Sequence, residues 1–148
     1  MENHPIPTEP TGETYRRLLE LANRSCTEAL LVVHPRDGLS SGASDVLASL
    51  APHRLSVEDR SSWPGTTLAG RTAEVHTFRF DGGVGDLLGA AVDGLYAWQQ
   101  PDRPEDLCLL RHGEPWLVTV AHQGAAHLVL TPEERARLDD ALPELFTP

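Results

Sequence analysis

His122 and His127 bracket a four-residue turn, Gln123-Gly124-Ala125-Ala126. If a hairpin closes there, the two imidazoles become cross-strand neighbours with Cβ atoms about 5 Å apart. Two imidazoles that close can grip a transition metal, but a site needs a third ligand. Cys108, His112 and Glu114 are the candidates, and nothing in the spacing selects one. No metal is therefore assigned. His76 alternates with Phe78 and Phe80, which predicts a core histidine with one backbone partner. The segment Asp81-Gly82-Gly83-Val84-Gly85-Asp86 lies where phosphate loops lie, between a strand and a helix. It lacks the G-x-G-x-x-G spacing and any lysine, and its flanking acids would repel phosphate. It reads as a turn and a helix start. No cofactor is expected.

Nucleophilic chemistry finds no better footing. The chain has no G-x-S-x-G, no Ser-x-x-Lys and no cysteine-protease signature. Zinc-protease and EF-hand patterns are also missing. Cys108, between Leu107 and Leu109, has the setting of a packed, inert thiol. The acid pairs Glu133-Glu134 and Asp139-Asp140 point in different directions on a helix, so neither reads as a catalytic dyad. With twelve Arg and no Lys, Schiff-base and P-loop chemistry are excluded. The balance leans away from an enzyme.

One stretch combines features of a contact surface. Trp98-Gln99-Gln100-Pro101-Asp102-Arg103-Pro104-Glu105-Asp106 is stiffened by two prolines, so docking would order little. It carries an aromatic residue at one end and acids at the other, the make-up of an interface hot spot. Trp98, Asp102, Arg103, Glu105 and Asp106 are the candidate partner-binding residues. Otherwise the stretch is a rigid connector whose Trp packs inward.

Charge points to the kind of partner. The net charge is −10. Residues 1–72 carry nine acids against seven Arg and residues 73–148 thirteen against five, so the C-terminal half holds −8 of it. Such a surface repels phosphate backbones, which excludes a nucleic-acid partner, and it speeds encounter with a basic protein. No stretch approaches a membrane span, so no membrane partner is expected. The start, MENHPIPTEPTGE, lacks a basic region and an apolar run. Cys26 and Cys108 form no C-x-x-C pair. Both features predict a cytoplasmic protein with reduced thiols, and the Arg-for-Lys bias suggests a bacterial, GC-rich genome.

The elements that would position these residues follow from periodicity. Residues 1–10, with Pro5, Pro7 and Pro10, read as a flexible tail. Tyr15, Leu18, Leu19 and Ala22 define a helix over 12–24. Ala29 to Val33 is an apolar run with no alternation, hence a central strand covered on both faces. A second helix is capped at Ser40 or Ser41 and stopped by Pro52. Leu55 and Val57 suggest a short edge strand, and Trp63 reads as a core plug. Glu74 to Phe80 is a strand. Val84, Leu87, Leu88, Ala91 and Leu95 make a third helix that carries Tyr96 and Trp98 at its end. Strands at 106–111, 116–122 and 127–130 form an antiparallel meander. Thr131-Pro132-Glu133-Glu134 places N-cap, N1 proline and N3 glutamate for a final helix.

Residues 11–148 are therefore expected to form a single α+β domain: a mixed or antiparallel sheet, a C-terminal three-stranded meander and about four packed helices. The expected function is that of a small acidic binding protein, immunity-like or antitoxin-like, or an accessory subunit. The likeness to toxin-neutralising proteins is one of composition alone. The alternative is a small enzyme or a metal or small-molecule binder, with a pocket near Tyr96, Trp98, Trp116, His122 and His127.

Overall fold

A computed structural model describes every residue from Met1 to Pro148. Seven strands form one sheet in the order β1-β9-β8-β7-β2-β6-β3. These are β1 (Glu2–Pro5), β2 (Glu28–Val33), β3 (Arg54–Arg60), β6 (Ala73–Arg79), β7 (Glu105–Arg111), β8 (Glu114–Val120) and β9 (Ala125–Leu130). All six neighbouring pairs run antiparallel. A two-stranded ribbon, β4 (Ser62–Trp63) with β5 (Thr66–Thr67), lies apart. The helices are α1 (Gly12–Ala22), α2 (Ser41–Leu50), α3 (Gly82–Ala91) and α4 (Pro132–Ala141). This is the expected α+β domain.

The unbroken apolar run of β2 is explained by its place. It lies between β7 and β6, and Ala29 to Val33 are all buried. Alternate residues feed two cores. Ala29 and Leu31 join a core of 26 buried residues that includes inward-facing side chains of α1, α3 and α4. Leu30 and Val32 face a smaller core of seven, closed by Trp63. Trp63 is thus the plug that its size suggests. β3 is the exposed edge expected from Leu55 and Val57, and its four charged residues discourage pairing with another chain. No helix is long and apolar enough to cross a membrane.

Two expectations are corrected. The N-terminal residues are not a free tail: β1 pairs with β9, with Asn3 opposite Val129 and Pro5 opposite His127. Ile6 is buried and its N–H donates to Ala126 O at 2.9 Å. At a sheet edge one side of a strand needs no partner, so prolines are tolerated there. The third helix stops at Ala91, and Val92 already has extended backbone. Arg103 Nε donates to Ala91 O at 2.9 Å and so satisfies a terminal carbonyl from outside the helix. Tyr96 lies in a separate 3-10 turn, Leu95–Ala97, with Trp98 just after it.

Candidate functional site

The stretch from Trp98 to Asp106 is a strut inside the fold rather than a projecting loop. Trp98 is 0% exposed and stands in the main core. Its indole N–H donates to Tyr15 Oη at 3.1 Å, and that hydroxyl donates to Leu88 O at 2.7 Å. One polar chain therefore ties the strut to α1 and α3. Trp98 cannot be a surface anchor for a partner. The apolar body and single donor of an indole fit an interior place where that donor is met.

Gln100 clasps the turn after β2. It accepts from His34 N at 2.6 Å, and its amide nitrogen donates to His34 O at 3.0 Å and Gly38 O at 2.9 Å. Pro101 O accepts from Ser40 N at 2.8 Å, just at the cap of α2. Asp102 is the exposed acid of the strut. Arg103 is half-buried and donates to Ala91 O and Asp102 O.

The strut then delivers two acids to the start of β7. Glu105 is half-buried. Its carboxylate accepts from Gln100 N at 3.2 Å and lies 3.0 Å from His34 Nε2. Asp106 is 1% exposed, and its backbone has φ 56°, an uncommon conformation for a residue with a side chain. Asp106 Oδ1 accepts from Ala121 N at 2.9 Å. Burial raises the Asp106 carboxyl above the usual aspartate range, the Ala121 N–H opposes this, and neighbouring Glu105 adds to it. Asp106 is thus not a surface acid either. His122, in the 3-10 turn Ala121–Gln123, completes the group. One ligand atom each from Glu105, Asp106 and His122 lie within 4.8 Å of one another.

The pairing of His122 with His127 is not formed. β8 and β9 close at Val120 opposite Ala125, which leaves His122 in the turn and sets His127 opposite Val118. Of the other possible ligands, Cys108 is buried and pushed up to about 12 by desolvation, its Sγ 3.8 Å from Pro64 O. His112 and Glu114 lie at the far hairpin, joining β7 to β8. The pocket expected near Tyr96, Trp98, Trp116, His122 and His127 is not assembled. Trp116 is buried, with its indole N–H donating to Glu134 at 3.3 Å, while Tyr96 lines a different groove.

That groove adjoins a cleft with several acidic residues. A cleft of about 450 Å³ runs between α1 and α3, with Gly82, Gly85 and Gly89 along one side and Glu20, Asp86 and Asp93 among its charged residues. Gly89 is buried against α1, where a Cβ would lie 3.4 Å from Arg16 Cγ, within ordinary contact distance. Through Ala90 and Asp93 the cleft continues into a second one that reaches Tyr96, Asp102 and Arg103. Glu20, Asp86, Asp93 and Asp102 are all exposed, and none forms a salt bridge.

No protein-family model, curated protein or solved structure matches the chain.

Proposed function

We propose that the chain is a small, acidic, non-catalytic binding protein of the bacterial cytoplasm that engages a basic protein partner, in the manner of an immunity protein, an antitoxin or an accessory subunit. The observation that carries this reading is the pair of adjoining clefts along α1 and α3, where four exposed acids form no salt bridge and the two arginines of the lining, Arg16 and Arg103, engage Glu13 and the Ala91 and Asp102 carbonyls instead. Unpaired carboxylates on a surface of net charge −10 raise the encounter rate with a basic surface and favour Lys and Arg over acidic side chains. Gly82 and Gly85 beside them carry no side chain to obstruct a close-fitting partner segment. From the predicted patch only Asp102 carries over fully; Trp98 and Asp106 act inside the fold.

The test compares capture of proteins from the source cells by the wild-type chain and by the variant Glu20→Gln/Asp86→Asn/Asp93→Asn/Asp102→Asn. All four positions are exposed, so the variant keeps the fold. The expected result is a stoichiometric basic protein held by the wild type and lost from the variant. Capture that is equal for both chains contradicts the proposal.

A further inference from the structure

We infer that Glu105, Asp106 and His122 form a binding site for one divalent transition-metal ion of the Zn²⁺ type, independent of the partner-binding surface. The three ligand atoms come from the start of β7 and the turn after β8, and all lie within 4.8 Å of one another. Around a tetrahedral ion with bonds of about 2.1 Å, ligand atoms stand roughly 3.4 Å apart. Closure therefore asks the ligand atoms to approach by at most about 1.4 Å, and His122 is the exposed member of the three.

Asp106 supplies the second observation. Asp106 as a whole residue is 1% exposed, Oδ1 accepts from Ala121 N, and the other oxygen makes no hydrogen bond within the protein. A largely buried carboxylate beside a second carboxylate favours a nearby cation. No arginine provides one: Glu105 is paired only with His34, and Arg103 is spent on two backbone carbonyls.

The surroundings are those of ligands held in place. Glu105 is gripped by Gln100 N and His34 Nε2, and Asp106 by Ala121 N. Such outer contacts orient metal-binding carboxylates while leaving further lone pairs free. His34 is a positioning residue here, its ring set edge-on against Trp63 at 5.6 Å. One imidazole with two carboxylates favours Zn²⁺-like ions over Mg²⁺ or Ca²⁺, which prefer oxygen alone. Three protein ligands leave a fourth position for water.

The probe is Zn²⁺ alone, titrated into the full chain after chelator treatment and dialysis, with competition against a chromophoric chelator and melting temperature as the two readouts. The expected result is one Zn²⁺ per chain, with a melting temperature that rises with Zn²⁺ and does not respond to Mg²⁺. His122→Ala and Asp106→Asn should each weaken binding by at least about tenfold, while His112→Ala should leave it unchanged. Asn tolerates the positive φ of position 106 and can still accept from Ala121. If Asp106→Asn nevertheless fails to fold, the exposed His122→Ala decides. No Zn²⁺ bound, binding indifferent to His122→Ala, or an equal response to Mg²⁺ overturns the inference.

Discussion

Glu134 is the most heavily committed acid in the chain, and replacing it should cost stability in a way that depends on pH. It stands at the third position of α4, where it completes a capping box with Thr131. It also accepts from Arg111 at 2.8 and 2.9 Å and from Ser25 Oγ at 2.7 Å. Its side chain is 6% exposed. Burial alone would raise its carboxyl, but the Arg111 guanidinium and the Thr131 and Ser25 donors outweigh that and hold it at about 2. An unfolded glutamate titrates near about 4.3, so the ionised carboxylate contributes on the order of 3 kcal/mol at neutral pH. A depressed folded value means this stability is present above the unfolded pKa and lost as pH falls from about 4.3 towards 2. Glu134→Gln should therefore lower the unfolding free energy by about 3 kcal/mol at pH 7. The gap between variant and wild type should narrow steadily below about pH 4. Urea unfolding followed by tryptophan fluorescence at pH 7, 4 and 2.5 measures it. A loss under about 1 kcal/mol at pH 7, or a gap that ignores pH, would refute this account of the pair.

Two further predictions test packing. Gly65 has φ 90°, and a Cβ there would lie 2.8 Å from Val118 Cγ1 and 3.0 Å from Val120 Cγ2. Gly65→Ala should cost about 2 kcal/mol or more, while Gly124→Ala, also at positive φ but with nothing within 4 Å, should cost only about 1 kcal/mol; thermal melts of both variants give the comparison. Trp98→Phe removes the donor to Tyr15 and some core volume. It should lower stability by about 1 to 3 kcal/mol without changing partner capture, and a loss of capture in a folded variant would restore Trp98 as a contact residue.

Much of the fold was legible because burial imposes a period. The unbroken run Ala29 to Val33 could only be a covered strand, and Thr131-Pro132-Glu133-Glu134 carried its own start signal, met in full by the capping box. β1 was not legible: its contribution is backbone hydrogen bonding to β9, with Ile6 as its one buried neighbour, and a prolyl-rich stretch gives no periodic sign of that. The apolar stripe predicts too long a third helix because Leu95 continues it, although Val92 and Gly94 are extended.

The site divides in the same way. Asp106 precedes the buried run Leu107 to Leu110, and an acid joined directly to such a run is a sign of an interior carboxylate that composition alone overlooks. His34 and Gln100 are 66 residues apart in the chain and meet through two hydrogen bonds, with a third from Gln100 to Gly38 O. Nothing in local spacing announces that clasp, since it depends on the order of β7 and β2 in the sheet. A cross-strand pairing of His122 with His127 requires the hairpin to close at them. It closes two residues earlier on one side, at Val120 opposite Ala125, which sends His122 towards Asp106 instead.

The most direct test of the partner-binding account is the affinity for the captured partner over a salt series, for the wild type and for the variant neutralised at Glu20, Asp86, Asp93 and Asp102. Exposed charges lose their reach as the Debye length shrinks to about 8 Å at physiological ionic strength and about 3 Å at 1 M. The wild-type affinity should fall steeply with added salt, and the variant should start weaker and show a flatter dependence. Two curves of equal slope and equal affinity would place the contact elsewhere on the molecule and contradict the claim that the α1–α3 clefts receive a basic partner.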